Sequence, residues 1–162
     1  MSVHFSSATD LHETPQDFFN KLNDEFNFTV DVCATAENAK CNRYYTKQDD
    51  GLSQNWSGNV WMNPPYGDPE YACKANCKKK KCVTRGHHNK TYIPGIKDWM
   101  KRANDASNEG ATVVCLVPAR TDTVWWHEYA IKHEVRFIKG RLKFGNAKNN
   151  APFPSAVVVM RG

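Results

Sequence analysis

Apolar side chains recur at helical spacing in three stretches of the chain. The first predicted helix has Thr14 as its N-cap and Pro15 at its first helical position, a combination that favours helix initiation. The apolar face of this helix comprises Phe18, Phe19, Leu22 and Phe26. Two further helices are predicted over residues 96–110 and 122–132.

Runs of β-branched and apolar residues alternate with these helices and predict strands. The predicted strands cover residues 28–33, 58–62, 111–117, 135–138, 142–144 and 155–160. The run ATVVCLV at 111–117 is almost continuously apolar, as expected of a strand that a parallel sheet buries on both faces. The last strands are expected to pair antiparallel at the sheet edge. Alternating strands and helices predict one α/β three-layer domain over residues 1–162.

Composition and the chain start limit the class of protein. Hydrophobic residues make up 40% of the 162 residues, but no apolar run approaches the roughly 20 residues of a membrane span. The start, MSVHFSSATDLHETP, lacks a basic segment followed by an apolar one, so no secretory signal and no membrane partner are predicted. A cytoplasmic location is expected. The six cysteines are then expected to be thiols or metal ligands.

The net charge of +5 lies entirely in one segment, residues 68–95, which we call the basic insertion. It has seven basic and two acidic residues, whereas the rest of the chain has 15 of each. It shows no helical or strand periodicity. A concentrated basic patch favours a polyanion such as nucleic acid, and a solvated lysine-rich loop is the alternative. The candidate phosphate contacts are Lys78, Lys79, Lys80, Lys81 and Arg85.

Potential metal ligands crowd into the basic insertion, which contains the sequence CKANCKKKKCVTRGHH. Zinc prefers four sulfur or nitrogen ligands in a tetrahedral arrangement. Such a set is supplied by Cys73, Cys77, Cys82 and His87, although their spacing is not that of a standard zinc finger. Two interpretations stay open: a structural Zn²⁺ that orders the insertion, and a lysine-rich loop with free thiols.

The strand at 58–62 ends in the sequence NPPY, Asn63 to Tyr66. Two successive prolines cannot donate to a sheet ladder, so they stop the strand and hold a stiff turn. The carboxyl ends of strands are where open α/β sheets bind ligands. The Asn63 amide oxygen and the Pro64 carbonyl can accept the hydrogens of an adenine amino group, and Tyr66 can stack on the flipped base. A chance Pro-Pro turn is the alternative.

Ordered blocks along nearly the whole chain resemble the phage and prophage DNA N-6-adenine methyltransferases, a Dam-like group that uses S-adenosylmethionine. The blocks are TPQDFF, FTVDVCATAENAKCNRYYT, DGL, VWMNPPYG, PGIKDWM, LVPARTDT, FIKGRLKFG and APFPSAVVV. The resemblance implies a compact class I, Rossmann-like methyltransferase fold with the basic insertion after NPPY. It also implies S-adenosylmethionine as the cofactor, double-stranded DNA as the partner, and a catalytic motif formed by Asn63, Pro64, Pro65 and Tyr66.

The resemblance further implies which residues contact the cofactor. Thr14 and Pro15 match the block that touches the amino-acid part of the cofactor. The loop after the first strand matches through Asp31, Cys33, Ala34 and Thr35. This loop, DVCATAEN, departs from the family pattern because it has no glycine, the residue that lets a backbone approach a ligand closely. An alternative for Asp31 is an acid at the strand end that caps a loop.

Asp50 and Arg120 have less specific signals. Asp50 precedes a glycine between the first two strands, where an acid of this fold accepts hydrogen bonds from the ribose or adenine of the cofactor. A plain Asp-Gly turn is the alternative. Arg120, after the third strand, is expected to contact DNA or the backbone near the target, and a surface arginine that caps a helix is its alternative.

These patterns predict an enzyme that transfers a methyl group from S-adenosylmethionine to the exocyclic amino group of adenine in DNA. One alternative uses the same turn on the amino group of cytosine or on an RNA adenine. Another is a catalytically inactive, zinc-stabilised module that binds nucleic acid. Since a sulfonium is already a strong electrophile, positioning and electrostatics should dominate catalysis, and no general base is predicted.

Overall fold

The computed structural model describes residues 12–145 and 147–162. The prediction of no secretory signal falls largely on residues 1–11, which lie outside the described residues. Within the described part of the chain, no helix is both long enough and apolar enough to cross a bilayer.

The chain forms one five-stranded sheet, whose strands are β1 (Val30–Asp31), β2 (Asn59–Met62), β3 (Thr112–Pro118), β4 (Glu134–Phe137) and β5 (Ser155–Arg161). The strand order is β1-β2-β3-β5-β4. The pairs β1–β2 and β2–β3 are parallel, whereas β5 runs antiparallel to both β3 and β4. The carboxyl ends of β1, β2 and β3 therefore lie side by side at one edge of a mixed α/β sheet.

The predicted antiparallel pairing of the last strands is confirmed, but the predicted edge position holds only for β4. Strand β5 lies between β3 and β4. Residues 155–160 of β5 are all buried, which suits an interior position, whereas β4 has the half-exposed sequence EVRF. Residues 142–144, also predicted as a strand, form none; there Phe144 packs its ring near Tyr66.

Helices cover both faces of the sheet. The covering helices are α1 (Gln16–Phe26), α3 (Ile96–Asn108) and α4 (Val124–Glu128), whereas α2 (Lys80–Arg85) lies in the basic insertion; 3₁₀ turns occur at Gly51–Ser53 and Ala130–Lys132. Phe19 of α1 packs edge-on against Trp61 of β2, with ring centroids 5.2 Å apart. Trp126 of α4 lies 6.4 Å from Phe137 of β4. The strand register places Trp61 and Phe137 on opposite faces, so α1 and α4 sandwich the sheet.

The start of α1 differs from its prediction by one residue. The helix begins at Gln16, and Pro15 rather than Thr14 occupies the N-cap position, without a side-chain cap. Thr14 is buried, and its hydroxyl oxygen instead accepts a hydrogen bond from Asn63. A distant partner, directly after β2, has replaced the local capping bond that the sequence predicts.

The two ends of the basic insertion lie next to each other in space. Glu70 and Ile93 pair antiparallel through two backbone hydrogen bonds of 3.0 and 2.8 Å. Gly95 lies so close to the outgoing chain that a Cβ there would be 2.2 Å from the Pro69 nitrogen, which requires glycine at this position. Within the insertion, α2 corrects the prediction of no periodic structure. Its pattern is hidden because Cys82 is its one buried side chain.

Candidate active site

Asn63 lies directly after β2, and its side-chain amide has a fixed orientation. The residue is 7% exposed. Its Nδ2 donates to the His12 carbonyl oxygen at 2.5 Å and to the Thr14 Oγ1 at 3.1 Å. Because a backbone carbonyl can only accept, the amide nitrogen must face His12. The Oδ1 atom therefore points the other way, where it accepts a 2.6 Å hydrogen bond from the Tyr66 hydroxyl.

Tyr66 is held in an aromatic cluster and is 4% exposed. Its ring centroid lies 4.4 Å from that of His12, 5.7 Å from Phe153 and 6.1 Å from Phe144. Burial raises the pKa of Tyr66 well above its ordinary value, so the hydroxyl keeps its proton and serves as the donor to Asn63. The Tyr66 hydroxyl therefore orients the side-chain amide of Asn63.

Arg120 contacts the backbone of the NPPY turn. Its Nη1 donates to the Tyr66 carbonyl oxygen at 2.7 Å, and its guanidinium carbon lies 6.0 Å from the centroid of the Phe153 ring. Pro64 is buried and Pro65 is half-buried in the same turn. The sequence predicted Arg120 as a contact to DNA, and the structure gives this half-buried residue a contact that holds the turn in place.

Replacing Tyr66 with phenylalanine is expected to lower the free energy of unfolding by about 1–2 kcal/mol, because the buried Oδ1 of Asn63 loses a donor while the ring keeps its packing. Urea unfolding measures this loss. Tyr92→Phe is the matched control, since it removes a more exposed hydroxyl that donates to Asp98. A loss no larger in Tyr66→Phe than in the control would contradict this account.

A narrow cleft joins the end of β1 to Asn63. Its volume is about 10 Å³, enough for roughly one water, so a larger ligand fits only after lining side chains move. The cleft is lined by Glu13, Thr14, Asp31, Cys33, Asn38, Lys40, Trp61 and Asn63. The structure therefore brings three of the predicted cofactor residues, Thr14, Asp31 and Cys33, together with the predicted catalytic asparagine.

The other predicted cofactor residues do not line this cleft in the described part of the chain. Ala34 is buried, and Thr35 exchanges two hydrogen bonds with Asn38. Pro15 is half-buried at the start of α1. Asp50 is exposed in the left-handed conformation (φ 55°) of an Asp-Gly turn. The geometry of the turn alternative is therefore present at Asp50.

Asp31 is the buried acid of the cleft, at 3% exposure. Its Oδ1 accepts from the Cys33 backbone N–H at 3.3 Å and its Oδ2 from the Lys40 backbone N–H at 3.0 Å. Burial raises the pKa of Asp31 to about 7, although the two backbone hydrogen bonds oppose this rise. Asp31 therefore caps its own loop, as the alternative interpretation held, and also lines the cleft.

Sequence reasoning missed Glu13, Asn38, Lys40 and Trp61. Lys40 Nζ lies 2.9 Å from Gln16 Oε1 and 4.0 Å from Glu13 Oε1, so these polar groups close one side of the cleft. The loop after β1 returns beside it, where Tyr44 pairs with Asp31, and this return carries Lys40 to the cleft. No local pattern signals such a return. Of the four missed residues, Glu13 had the clearest sequence signal, because it is adjacent to the predicted cofactor residue Thr14.

Three cysteines and a histidine of the basic insertion meet in one cluster. The ligand atoms of Cys73, Cys77, Cys82 and His88 all lie within 4.8 Å of one another. The fourth member is His88, which corrects the predicted His87, because Gly86 ends α2 in a left-handed conformation and turns the chain. His87 instead offers its carbonyl to Arg85 Nε at 3.0 Å. A hydrogen bond with His88 lowers the pKa of Cys73.

The predicted phosphate contacts fall into two groups. Lys78, Lys79 and Lys80 are exposed. Lys81 Nζ pairs with Glu70 Oε1 at 2.8 Å on the surface, and Arg85 Nη1 lies 3.0 Å from the same oxygen with its side chain 14% exposed. Arg85 is thus committed to contacts inside the insertion, whereas the lysines face solvent.

The chain matches the family model of the DNA N-6-adenine-methyltransferases (Dam) over residues 2–159. It is 26% identical over 163 residues to the DNA N-6-adenine-methyltransferase of Escherichia phage T1, an alignment covering 96% of this chain and 64% of that protein. It is 38% identical over 66 residues to the DNA N-6-adenine-methyltransferase of Haemophilus phage HP1 (strain HP1c1), covering 39% of this chain and 38% of that protein. The matched region is thus less than two thirds of either relative. Because the family model spans nearly the whole chain, the protein belongs to the DNA N-6-adenine-methyltransferase (Dam) family.

Proposed function

We propose that this chain transfers a methyl group from S-adenosylmethionine to the exocyclic amino group of adenine in double-stranded DNA, on a class I methyltransferase fold. The observation that carries the proposal is the buried Asn63 amide, whose orientation is fixed at the carboxyl end of a parallel strand. Membership of the DNA N-6-adenine-methyltransferase family supports the choice of base. A DNA substrate supports a cytoplasmic location for the proposed activity, in the host cytoplasm for a phage-encoded chain.

The Asn63 amide oxygen is suited to activate an amino group. The lone pair of the adenine amino nitrogen is delocalised into the ring, so this nitrogen is a weak nucleophile. A carbonyl oxygen has two lone pairs, and Tyr66 uses one of those on Asn63 Oδ1. The other lone pair and the Pro64 carbonyl are proposed to accept the two amino hydrogens. These bonds localise the lone pair on nitrogen and aim it at the methyl donor.

The polar groups of the cleft fit the amino-acid and ribose parts of S-adenosylmethionine, which supplies an electrophilic methyl group when bound. An ammonium group and ribose hydroxyls need acceptors, and Asp31, Thr14 and Asn38 present carboxylate, hydroxyl and amide oxygens. We propose that these residues and Cys33 hold the cofactor after the Lys40 and Glu13 side chains move aside. Contacts from Pro15, Ala34, Thr35 and Asp50 stay predictions.

Tyr66 is proposed to stack on the flipped adenine. The nearest ring to Tyr66 is that of His12, at 4.4 Å and tilted by 37°. A base that stacked on this side of the tyrosine would take the place of the His12 ring, while the His12 carbonyl can stay bonded to Asn63. Arg120 is proposed to position the turn during this exchange through its bond to the Tyr66 carbonyl.

Methyl transfer is tested with tritiated S-adenosylmethionine and unmethylated double-stranded DNA, with RNA of the same sequence in parallel. The product nucleosides are then separated after digestion. Tritium in N6-methyladenine from DNA is the expected result. Label in cytosine methylated on its amino group, or in adenine of RNA, would instead support the alternative substrates. Cofactor-independent DNA binding with no transfer to any nucleic acid would support the inactive binding module.

Replacing Lys78, Lys79 and Lys80 together with glutamine is expected to weaken DNA binding and to reduce the slope of log affinity against log salt by about 2–3, since each phosphate contact contributes roughly 0.9. These lysines are exposed, so folding should be unaffected. Fluorescence anisotropy at several salt concentrations measures the slope. The control removes equal charge outside the insertion, through Lys21, Lys132 and Lys139 to glutamine. Equal slopes for the two variants would contradict a role of the basic insertion in DNA contact.

A further inference from the structure

We propose that Cys73, Cys77, Cys82 and His88 bind a structural Zn²⁺ that orders the basic insertion. This proposal rests on the geometry of the insertion and is independent of the proposed methyl transfer. The four residues supply three sulfur ligands and one imidazole nitrogen, a set that Zn²⁺ takes in structural sites.

The distances between the sulfur atoms fit a shared tetrahedral ion. With Zn–S bonds of about 2.3 Å, two sulfur ligands of a tetrahedral site lie roughly 3.8 Å apart. Cys73 Sγ lies 3.6 Å from Cys82 Sγ, and Cys77 Sγ lies 3.9 Å from Cys82 Sγ. The His88 nitrogen lies within 4.8 Å of all three sulfurs. All four ligands can therefore reach one ion after small side-chain adjustments.

The insertion also lacks a hydrophobic core that would fold it without a metal. Among residues 68–94, Cys82 and Asn89 are the buried ones. Asn89 itself contacts the cluster: its backbone N–H lies 3.3 Å from Cys73 Sγ, and its carbonyl accepts from the Cys73 N–H at 2.9 Å. A six-residue helix such as α2 is too short to be stable in isolation. Small segments of this kind require an additional stabilising cross-link, and a bound metal provides one.

The surroundings of the cluster suit a zinc centre with three thiolates. Three thiolates and one Zn²⁺ leave one excess negative charge. Arg85 Nη2 lies 3.4 Å from Cys82 Sγ, which places a permanent positive charge beside that sulfur. The Asn89 N–H toward Cys73 adds a neutral donor. Donors of this kind orient the ligands and stabilise their deprotonated form.

The position of the ligands gives the metal a consequence for DNA contact. The exposed lysines at 78–81 lie between the second ligand, Cys77, and the third, Cys82. A metal bound to both cysteines fixes the two ends of this lysine run. The metal would therefore pre-organise the phosphate-binding surface without touching the NPPY turn.

The metal content of the purified full chain tests the site. Protein produced in zinc-supplemented medium and purified without chelators is expected to contain one zinc per chain by mass spectrometry. Cys77→Ser and His88→Ala are expected to lose at least about 80% of it. The matched controls are His87→Ala and Cys41→Ser, which remove a neighbouring histidine and a cysteine outside the cluster and are expected to keep it.

Cobalt(II) and trypsin provide readouts that need no variant. Cobalt substituted into the wild-type chain is expected to show the thiolate charge-transfer and visible bands of a tetrahedral sulfur-rich site. Chelation of the metal is expected to increase the rate of trypsin cleavage after Lys78–Lys81 by at least about tenfold. Wild-type protein with no zinc and no cobalt bands would overturn the proposal. Loss of zinc in His87→Ala but not in His88→Ala would overturn the ligand set.

The zinc proposal and the proposed methyl transfer can fail separately. A zinc-containing chain that transfers no methyl group would contradict the enzyme proposal and support the metal site. An active chain free of zinc would contradict the metal site and support the enzyme proposal.

Discussion

Asn63→Ala is expected to reduce methyl transfer to DNA by at least about 100-fold, with most of the loss in kcat. The loss of one preorganised hydrogen-bonding group at a reacting centre costs roughly 2.7–4 kcal/mol, which corresponds to about 100- to 1,000-fold in rate. Alanine removes the Oδ1 atom that is proposed to accept a hydrogen of the target amino group, whereas the Pro64 carbonyl stays in place. Initial rates at saturating DNA and cofactor measure the loss, and circular dichroism confirms that the variant folds.

The matched control for Asn63→Ala is Thr14→Val. Valine removes the hydroxyl that accepts from Asn63 Nδ2 but leaves Oδ1 and the His12 carbonyl, which still holds the amide at 2.5 Å. We expect Thr14→Val to lose less than about tenfold in kcat at saturating S-adenosylmethionine, because one of two anchors of the Asn63 amide remains. The loss of its proposed cofactor contact is expected to raise the KM for S-adenosylmethionine instead. Asn63→Ala with more than a tenth of wild-type activity would contradict the proposed role of the amide oxygen.

The free energy of unfolding of the wild-type chain, measured relative to Asp31→Asn, is expected to fall by about 4 kcal/mol from pH 4 to pH 8. The pKa of Asp31 is about 7 in the folded chain, against roughly 3.9 in an unfolded one. Between these values the folded state binds more protons, so raising the pH favours unfolding. The stabilising contribution is therefore complete below pH 4 and lost by pH 7. Asparagine carries no such proton.

Urea unfolding of both proteins at intervals between pH 4 and pH 8 measures the difference. The two proteins are compared by the slope of the free energy of unfolding against pH. Their absolute values differ for a second reason, because Asp31→Asn also loses one acceptor for the Cys33 or Lys40 N–H at every pH. Asp24→Asn, at an exposed position of α1, is the control for removing one carboxylate elsewhere in the chain. A constant difference between wild type and Asp31→Asn would show that the buried carboxyl is not the source of the pH dependence.

Much of the fold could be predicted because the signals are local. The continuous apolar run of β3 and the Pro-Pro stop after β2 need no partner to be recognised. The edge position of β4 required knowing that β5 inserts between β3 and β4, a long-range pairing with no local signal. The helix α2 was hidden because exposed lysines surround one buried cysteine.

In the candidate site, too, local sequence signals were predictable and long-range contacts were not. Residue types at strand ends were found, and the structure brings Thr14, Asp31 and Asn63 together. The partners that fix them were not found, since Lys40 arrives on a returning loop. The hydrogen bond from Arg120 to the Tyr66 carbonyl likewise joins elements that are 54 residues apart. Spacing alone also could not distinguish His87 from His88, because the choice depends on the turn at Gly86.

The touching ends of the basic insertion have a consequence for how such a chain can evolve. Gly95 contacts Pro69, and the Ile96 N–H donates to the Gly67 carbonyl at 2.9 Å, so the path from β2 to α3 is closed before the insertion begins. A chain with a short turn in place of residues 70–93 would keep the same sheet connectivity. Under the proposed roles, the basic insertion that contacts DNA and the NPPY turn that carries the chemistry can therefore change independently during evolution. Selection can lengthen, exchange or delete the basic insertion without changing the NPPY turn.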